Sequence, residues 1–318
     1  MRAALVSFLV AILVIGTVAV VVGFKIFDTA DKQNTEQAIQ ETIHESEPMF
    51  VAEGFTIVSG NTQDDVVKNN LPRFTEELQK AQEQNFEARA WLNIPNTNIS
   101  GPVLLNVSHK DSSGELDADY YLERSIDNKY AGAGNTNAVI YADVRNKLGS
   151  WDELSRNTVI YGHNWTNVES SGALRVADPN DKQFAQLPSF ADLDFAKDTT
   201  YFTLDLGSEQ VVCAVFAAMY VDTYNSDNRD GFYYINTDPT DEEFSYIVSE
   251  ARARSEHLYK VPVGVNDKIV TLTTCTLKYG SDHNQRFVVM GRVLRPEDDI
   301  TDFGEPVKNL YPKRPDIN

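Results

Sequence analysis

Cysteine is nearly absent from this 318-residue chain, which contains only Cys213 and Cys275. Two cysteines are too few for a disulfide scaffold, so the small disulfide-stapled class of secreted domain is excluded. Cys213 lies inside the apolar run 211–216, where a free cysteine behaves as a small core residue. Cys275 instead ends the β-rich run 268–274 beside polar residues, in an accessible position. Cys275 is therefore the candidate nucleophile, and a Cys213–Cys275 disulfide is the alternative.

Basic residues are also scarce. The 28 lysines and arginines face 47 aspartates and glutamates, which gives a formal net charge of −19. Such a body repels the phosphates of nucleic acids, so we expect no nucleic-acid partner, and it disfavours docking on an anionic lipid surface. The alternative is that this acidity only keeps a surface protein soluble.

The sequence lacks the spacings that hold metals and nucleotides. It has no HExxH, CxxC or EF-hand pattern, and its five histidines are scattered. Gly132 and Gly134 are followed by no third glycine at the spacing of a dinucleotide-binding loop, so they indicate a plain loop. We predict neither a metal site nor a cofactor.

One long apolar run stands apart from the rest of the chain. Residues 3–24 are 22 consecutive residues without a charge, which is long enough for a helix to cross a bilayer. We predict a single-pass membrane anchor over residues 1–25, with the N-terminus in the cytoplasm and the large acidic body outside the cell. A cleaved signal peptide is the alternative, although its apolar region is usually shorter.

Beyond the anchor, composition divides the chain into three regions. Residues 26–88 begin as a polar, acidic stalk, and apolar positions then recur at near-helical spacing, which predicts one or two N-terminal helices. Residues 89–295 change to short β-rich runs and form the predicted catalytic domain. Residues 296–318 are a Pro-rich charged tail, for which we expect an extended, poorly ordered end.

Eight short β-rich runs with turn-forming residues between them predict a mainly β fold. They span residues 90–94, 102–107, 138–142, 158–161, 200–205, 210–221, 268–274 and 286–294. A closed eight-stranded barrel removes exposed strand edges, and a sandwich is the alternative. Helical spacing predicts a helix over 241–258, between the sixth and seventh runs, and a shorter one over 181–197.

A thiol becomes a useful nucleophile when a histidine or a cation lies beside it. His163 follows the run 158–161 at a second strand end, and His283 is its only rival. Arg286 begins the strand after Cys275, and its paired N–H donors suit a developing oxyanion. Considered singly, a structural His163 and an Arg286 surface ion pair are the alternatives. Together the three residues form a coherent acyl-transfer site.

The order of these motifs along the chain resembles that of a known family. The matching segments are Trp91–Ile99, Tyr121–Leu122, Ile140–Asn146, Asn157–Asn164 and Asp267–Cys275. Together they resemble a class B sortase over residues 89–295. The resemblance implies an eight-stranded sortase barrel with N-terminal helices, tethered by one transmembrane helix outside a Gram-positive cell.

The resemblance also implies a role for each candidate residue. The enzyme would be a cysteine transpeptidase in which Cys275 is the nucleophile, His163 the general acid and Arg286 the oxyanion stabiliser. It would cut a sorting signal after its threonine. The substrate-binding positions that it implies are Leu122, Tyr234, Ile235 and Thr273.

The implied partners are a surface protein or pilin that carries the sorting signal, and an amine of a peptidoglycan precursor or a pilin lysine. Two alternatives to the transferase stay open at this point. A cysteine peptidase would use the same residues but hydrolyse the acyl-enzyme, and a non-catalytic surface module would need none of them.

Overall fold

The structure is a computed structural model that describes residues 71–131, 138–167, 174–223, 232–280, 284–299, 301 and 303–315. The predicted anchor over residues 1–25 lies outside these ranges, as do residues 26–70 of the predicted stalk. Within the described ranges, no helix combines the length and apolarity that crossing a bilayer requires.

The described secondary structure is mainly β. The strands are β1 (Ala88–Asn93), β2 (Ser100–Leu104), β3 (Ile140–Ala142), β4 (Asn157–Tyr161), β5 (Tyr201–Asp205), β6 (Gln210–Asp222), β7 (His257–Leu258), β8 (Ile269–Cys275), β9 (Gln285–Val293) and β10 (Val307–Lys308). The helices are α1 (Thr75–Gln84), α2 (Leu193–Asp198) and α3 (Asp241–Arg254), with 3-10 helices at Tyr120–Glu123 and Gln183–Ala191.

Eight of these strands close into a barrel in the order β1-β2-β3-β4-β8-β9-β6-β5, with β5 paired back to β1. The β2–β3 and β4–β8 pairs are parallel, whereas the other neighbours in the barrel are antiparallel. Each predicted β-rich run contributes one barrel strand. The predicted eight-stranded barrel is therefore confirmed, and the sandwich alternative is wrong.

The longest strand, β6, shows how the barrel core is built. Along its first half, Val211, Cys213 and Val215 face the barrel interior, while Val212, Ala214 and Phe216 belong to a second core on the outer face. A register shift between Val215 and Ala217 moves this alternation by one residue, because a bulge adds one unpaired residue to a strand. All thirteen β6 residues are buried because α3 covers the outer face.

Helix α3 lies between β6 and β8 in sequence, as predicted, and it packs Phe244, Ile247 and Ala251 onto the outer core. Thr240 and Glu243 form a reciprocal capping box at its start. The helix is shorter than predicted, since the chain turns extended at Ser255 and residues 257–258 form β7, which pairs with β10. The shorter predicted helix is also divided, into the 3-10 helix at 183–191 and α2, which Asp192 caps.

The described part of the Pro-rich tail is extended, as predicted, but it is not a poorly ordered end. Its described residues 303–315 dock beside the C-terminal end of α3, where β10 pairs with β7. Lys313 Nζ lies 2.9 Å from Glu250 Oε2, and Arg314 pairs with Glu256. Proline and charge predicted a solvated segment, but the buried carboxylates of Glu250 and Glu256 supply partners that composition does not reveal.

Candidate active site

The sheet register brings the three predicted catalytic residues to one end of the barrel. In the parallel β4–β8 pair, Tyr161 lies opposite Thr273. His163 and Cys275 each follow two residues later, so they reach equivalent points on adjacent chains. In the antiparallel β8–β9 pair, Cys275 lies directly opposite Arg286. Two neighbouring ladders therefore place His163, Cys275 and Arg286 side by side.

These residues line a cleft of about 720 Å³. All seven predicted site residues line it, namely Leu122, His163, Tyr234, Ile235, Thr273, Cys275 and Arg286. The same cleft also contains residues without a predicted role, including Asp119, Tyr141, Asp143, Arg145, Tyr161 and Tyr233. Within the described ranges, no cluster of histidine, cysteine and acidic side chains could hold a metal ion.

The two cysteines occupy opposite environments. Cys275 is exposed at the end of β8, whereas Cys213 is fully buried in β6. Both are free, so the alternative of a Cys213–Cys275 disulfide is wrong. Burial raises the pKa of the Cys213 thiol, which keeps that group protonated and inert. Of the two thiols, Cys275 is the one that a substrate can reach.

His163 is held on two sides of its ring. Only 8% of the residue is exposed, and Nε2 lies 2.5 Å from the carbonyl oxygen of Leu122. A carbonyl can only accept a hydrogen bond, so Nε2 carries the proton in this contact. The ring also stacks on Trp165, with 5.6 Å between centroids and 27° between planes. Leu122 therefore contributes its backbone as well as an apolar side chain.

Gly162 explains how the histidine can lie so close to the core. A Cβ at this position would lie 2.5 Å from Cγ of the buried Phe184, well inside van der Waals contact. Glycine lets the Phe184 ring pack directly against the backbone at the end of β4. Any larger residue would displace either that ring or the neighbouring His163.

Arg286 is half-buried at the start of β9. Its Nη1 donates to Asn284 Oδ1 at 2.5 Å and to the carbonyl oxygen of Gln285 at 2.9 Å. No carboxylate in the described part of the chain forms an ion pair with it, which disfavours the surface ion-pair alternative there. The described contacts are local and neutral, so no carboxylate among the described residues compensates the guanidinium charge beside Cys275. The rival His283 lies outside the described residues.

A polar network beside the cleft was not predicted from the sequence. Arg145 donates two hydrogen bonds to the Asp143 carboxylate at 2.8 and 2.7 Å, one to the Tyr233 hydroxyl at 2.9 Å and one to the Ile235 carbonyl at 3.1 Å. Tyr161 donates to Asp143 at 2.9 Å. Burial opposes ionisation of Asp143, but its bonds to Arg145 outweigh burial and lower its pKa. The network ties the 232–238 segment to β3 and β4.

The two tyrosines of this segment have different roles. Tyr234 is only 3% exposed, its hydroxyl lies 3.1 Å from Thr273 Oγ1, and burial raises its pKa. Tyr233 is 49% exposed at the cleft. Tyr234 thus fixes the cleft floor near Thr273, and Tyr233 offers the more accessible ring. The sequence analysis named Tyr234 but not Tyr233, and burial is what distinguishes the two residues.

Comparison with known proteins agrees with this geometry, although no protein-family model matches the chain. Sortase B of Listeria monocytogenes is 28% identical over 234 residues, which cover 73% of this chain and 80% of that protein. Sortase B of Staphylococcus aureus is 25% identical over 279 residues, which cover 87% of this chain and 93% of that protein.

Solved structures share the fold. The Staphylococcus aureus sortase B–substrate complex superimposes with a TM-score of 0.52 at 19% identity, covering 84% of this chain and 98% of that one. A sortase B complexed with triglycine gives a TM-score of 0.53 at 19% identity, covering 84% of this chain and 99% of that one. These identities are low, so the structures support the architecture of the barrel.

The sortase B relatives indicate a sortase-type cysteine transpeptidase, and the barrel has the architecture of the solved sortase B structures. Both relatives extend over most of the chain. These relatives support a class B sortase.

Proposed function

We propose that this transpeptidase cleaves a C-terminal sorting signal after threonine, holds the acyl group as a thioester on Cys275 and transfers it to an amine. The observation that carries the proposal is the register of β4, β8 and β9, which aligns His163, Cys275 and Arg286 at one cleft. A nucleophile, a proton donor and an oxyanion stabiliser are the groups that acyl transfer needs.

The first half-reaction forms the acyl-enzyme. The Cys275 thiolate attacks the carbonyl carbon of the signal threonine, and the carbonyl oxygen becomes an oxyanion that the Arg286 guanidinium stabilises. His163 then donates a proton to the departing nitrogen as the C–N bond breaks. The products are a thioester on Cys275 and the free amine of the released peptide.

The second half-reaction transfers the acyl group. An incoming amine attacks the thioester carbonyl, loses a proton to His163 and expels Cys275 as the thiolate. The new amide joins the two partners, and the enzyme returns to its starting protonation. Water in place of the amine would give a free carboxylic acid and a hydrolase.

The cleft offers separate surfaces for the signal peptide. Leu122 and Ile235 supply apolar contacts, Thr273 supplies a hydroxyl near the nucleophile, and Tyr234 supports Thr273 from below. We propose these four as substrate-binding residues. The sortase B complexes with substrate and with triglycine among the related structures support a peptide signal and an amine acceptor of this kind.

We further propose that residues 1–25 anchor the enzyme in the membrane, with the catalytic barrel outside the cell. The uncharged run 3–24 supports this arrangement. The donor would be a surface protein or pilin, and the acceptor an amine of a peptidoglycan precursor or a pilin lysine. Both partners are reached only on the outer side of the membrane.

Mass spectrometry tests the proposal directly. The wild type and Cys275→Ala would each be mixed with Asn-Pro-x-Thr-type peptides, with and without an amine donor. We expect the wild type to give a product cut after threonine and joined to the amine, and Cys275→Ala to give none. Cys213→Ala is the matched control and should retain activity, because Cys213 is buried away from the cleft.

Each other outcome has a definite meaning. A product cut after threonine that carries water even at high amine concentration would favour the hydrolase. Absence of any thioester or product with every peptide would contradict catalysis at Cys275. A product from Cys275→Ala equal to that from the wild type would exclude the proposed nucleophile.

A further inference from the structure

Asn164, the residue after His163, binds the backbone of the nucleophile. Its side-chain Nδ2 donates a hydrogen bond to the carbonyl oxygen of Cys275 at 3.0 Å. Asn164 is only 3% exposed and is not among the residues that line the cleft. The contact joins the loop that carries His163 directly to the end of β8.

This contact continues the β4–β8 ladder beyond the end of β4 at Tyr161. The Gly162 N–H donates to the Thr273 carbonyl at 3.3 Å, and the Thr274 hydroxyl donates to the Gly162 carbonyl at 2.6 Å. The hydrogen bond from the Asn164 side chain to the Cys275 carbonyl is the next contact along the two chains. Side chains thus replace backbone pairing where the strands end, and they fix the spacing of the two chains at the catalytic residues.

The remaining hydrogen bonds of Asn164 lock its amide in place. Asn167 N–H donates to Asn164 Oδ1 at 2.9 Å, and Asn164 Nδ2 donates to the Asn167 carbonyl at 2.8 Å. Both amide hydrogens therefore have acceptors, and the amide oxygen has a donor, which defines the orientation of the amide. Asn167 Nδ2 in turn binds the Ala185 carbonyl at 2.9 Å, anchoring the turn to the core.

We propose that Asn164 is a positioning residue that sets the separation of His163 and Cys275 during acyl transfer. This inference rests on the catalytic roles proposed above for those two residues. A hydrogen bond to the Cys275 carbonyl restrains the backbone from which the thiol extends. Small displacements of reacting groups slow catalysis strongly, even when substrate binding is unchanged.

Asn106 provides a matched control within the same chain. It forms the same turn: His109 N–H donates to Asn106 Oδ1 at 2.8 Å, and Asn106 Nδ2 donates to the His109 carbonyl at 2.8 Å. Its second amide hydrogen goes to the Asp117 carbonyl at 2.8 Å instead of to Cys275, and its Oδ1 also accepts from the Ser108 N–H at 3.2 Å. Asn106 is 2% exposed, so the main difference between the two asparagines is the carbonyl that the second amide hydrogen binds.

The test uses the full-length chain and compares Asn164→Asp with Asn106→Asp. Aspartate keeps the acceptor of each turn but removes the amide donors. Single-turnover acylation of Cys275 by the signal peptide gives the rate, its peptide dependence gives the affinity, and thermal unfolding gives Tm. We expect acylation to slow about tenfold or more in Asn164→Asp and less than about twofold in Asn106→Asp, with similar losses of Tm and unchanged peptide affinity.

Asn164→Ala and Asn106→Ala separate positioning from charge, since alanine adds no carboxylate beside Cys275. The inference predicts the same selective loss in Asn164→Ala. The inference is overturned if Asn164→Ala acylates at the wild-type rate, or if the acylation rate of both Asn106 variants falls as much as that of the Asn164 variants. It is also overturned if the Asn164 variants fail to fold while the Asn106 variants fold. An inactive wild type would instead contradict the proposed function, so the two failures are distinguishable.

Discussion

The cleft end of the barrel and the face that holds the C-terminal tail are assembled from different interactions. At the strand ends that carry the proposed catalytic residues, neutral side chains such as Asn164, Thr274 and Tyr234 form hydrogen bonds across neighbouring segments. Beside α3, long charged side chains of the tail pair with Glu250 and Glu256. The hydrogen bonds at the strand ends hold individual atoms in place, whereas the ion pairs beside α3 attach the tail as a whole segment.

The difference follows from side-chain entropy and directionality. Asparagine and threonine lose less rotamer freedom than lysine or arginine when they are fixed, and their hydrogen bonds have narrow geometries. An ion pair between long side chains tolerates more displacement and weakens with salt. Catalysis needs directional hydrogen bonds, while ion pairs between long side chains are sufficient to attach a terminal segment. Substitutions on the two sides should therefore affect different measured quantities.

The largest effect is expected at the cleft from Arg286→Lys. Lysine keeps the charge but loses the planar pair of donors that suits an oxyanion. We expect kcat/KM to fall about 10²- to 10³-fold, with Tm unchanged, because the hydrogen bonds of Arg286 within the described part of the chain go to its neighbours Asn284 and Gln285. Arg314→Lys in the tail is the control and should keep full activity. An Arg286→Lys enzyme that works as well as the wild type would remove the proposed oxyanion role.

A second prediction concerns the cleft wall. Arg145→Ala removes the bonds to the Tyr233 hydroxyl and the Ile235 carbonyl. We expect KM for the signal peptide to rise about tenfold with little change in kcat, which corresponds to losing one charged hydrogen bond. Steady-state kinetics with varied peptide would measure this.

Arg156 supplies the control for that experiment. It pairs with Asp241 at 2.8 Å and donates to the Pro239 and Val265 carbonyls, but it does not line the cleft. Arg156→Ala should therefore lower Tm without changing KM. Equal effects of the two substitutions on KM would show that the wall depends on the general stability of the fold and not on Arg145.

A third prediction concerns pH. The pKa of Asp143 is lowered, so the folded state binds this proton less readily than the unfolded state, and the carboxylate stabilises the fold at higher pH. The stability advantage of the wild type over Asp143→Asn should be constant above about pH 5 and shrink below 3.8, the ordinary aspartate value. Denaturant unfolding from acid to neutral pH measures it. A difference in unfolding free energy between the wild type and Asp143→Asn that does not vary with pH would contradict the lowered pKa of Asp143.

The smallest effect is expected on the tail. Arg314→Gln removes the partner of Glu256 and should lower the free energy of unfolding by about 1 kcal/mol or less. The loss should diminish as NaCl rises from about 0.1 M to about 1 M, since salt screens partly exposed pairs. Activity should stay unchanged. A clear loss of kcat would show that the tail acts on the cleft, and the contrast drawn above would fail.

The sequence was informative for features that depend on one short segment, such as a strand or a residue at its end. Runs rich in β-branched and aromatic residues predicted all eight barrel strands, because such side chains pack well on a pleated, at least half-buried surface. Cys275, His163 and Arg286 were predicted as a site because reactive residue types stand at strand ends, and the structure brings all three to one cleft; their catalytic roles stay a prediction. The short strands β7 and β10 have two residues each, too few for any periodicity to indicate them.

What the sequence did not predict depends on contacts between distant segments. Arg145 meets Ile235 across 90 positions, and Asn164 meets Cys275 across 111. Neither pairing has a local signal, because an isolated arginine or asparagine is compatible with many partners. The docked tail was misjudged for the same reason, since its charges are complementary only to carboxylates that the fold buries elsewhere.

The parallel pairing of β4 with β8 has a consequence for how this enzyme can change. Strand registers in a closed barrel shift only by whole residues, about 3.3 Å at a time, and a one-residue slip turns every side chain to the opposite face. The register that sets the separation of His163 and Cys275 can therefore change only by whole residues. The loops after Asn167 and before Ile269 can lengthen or shorten without altering it, so new substrate specificities can be grafted onto an unchanged arrangement of the proposed catalytic residues.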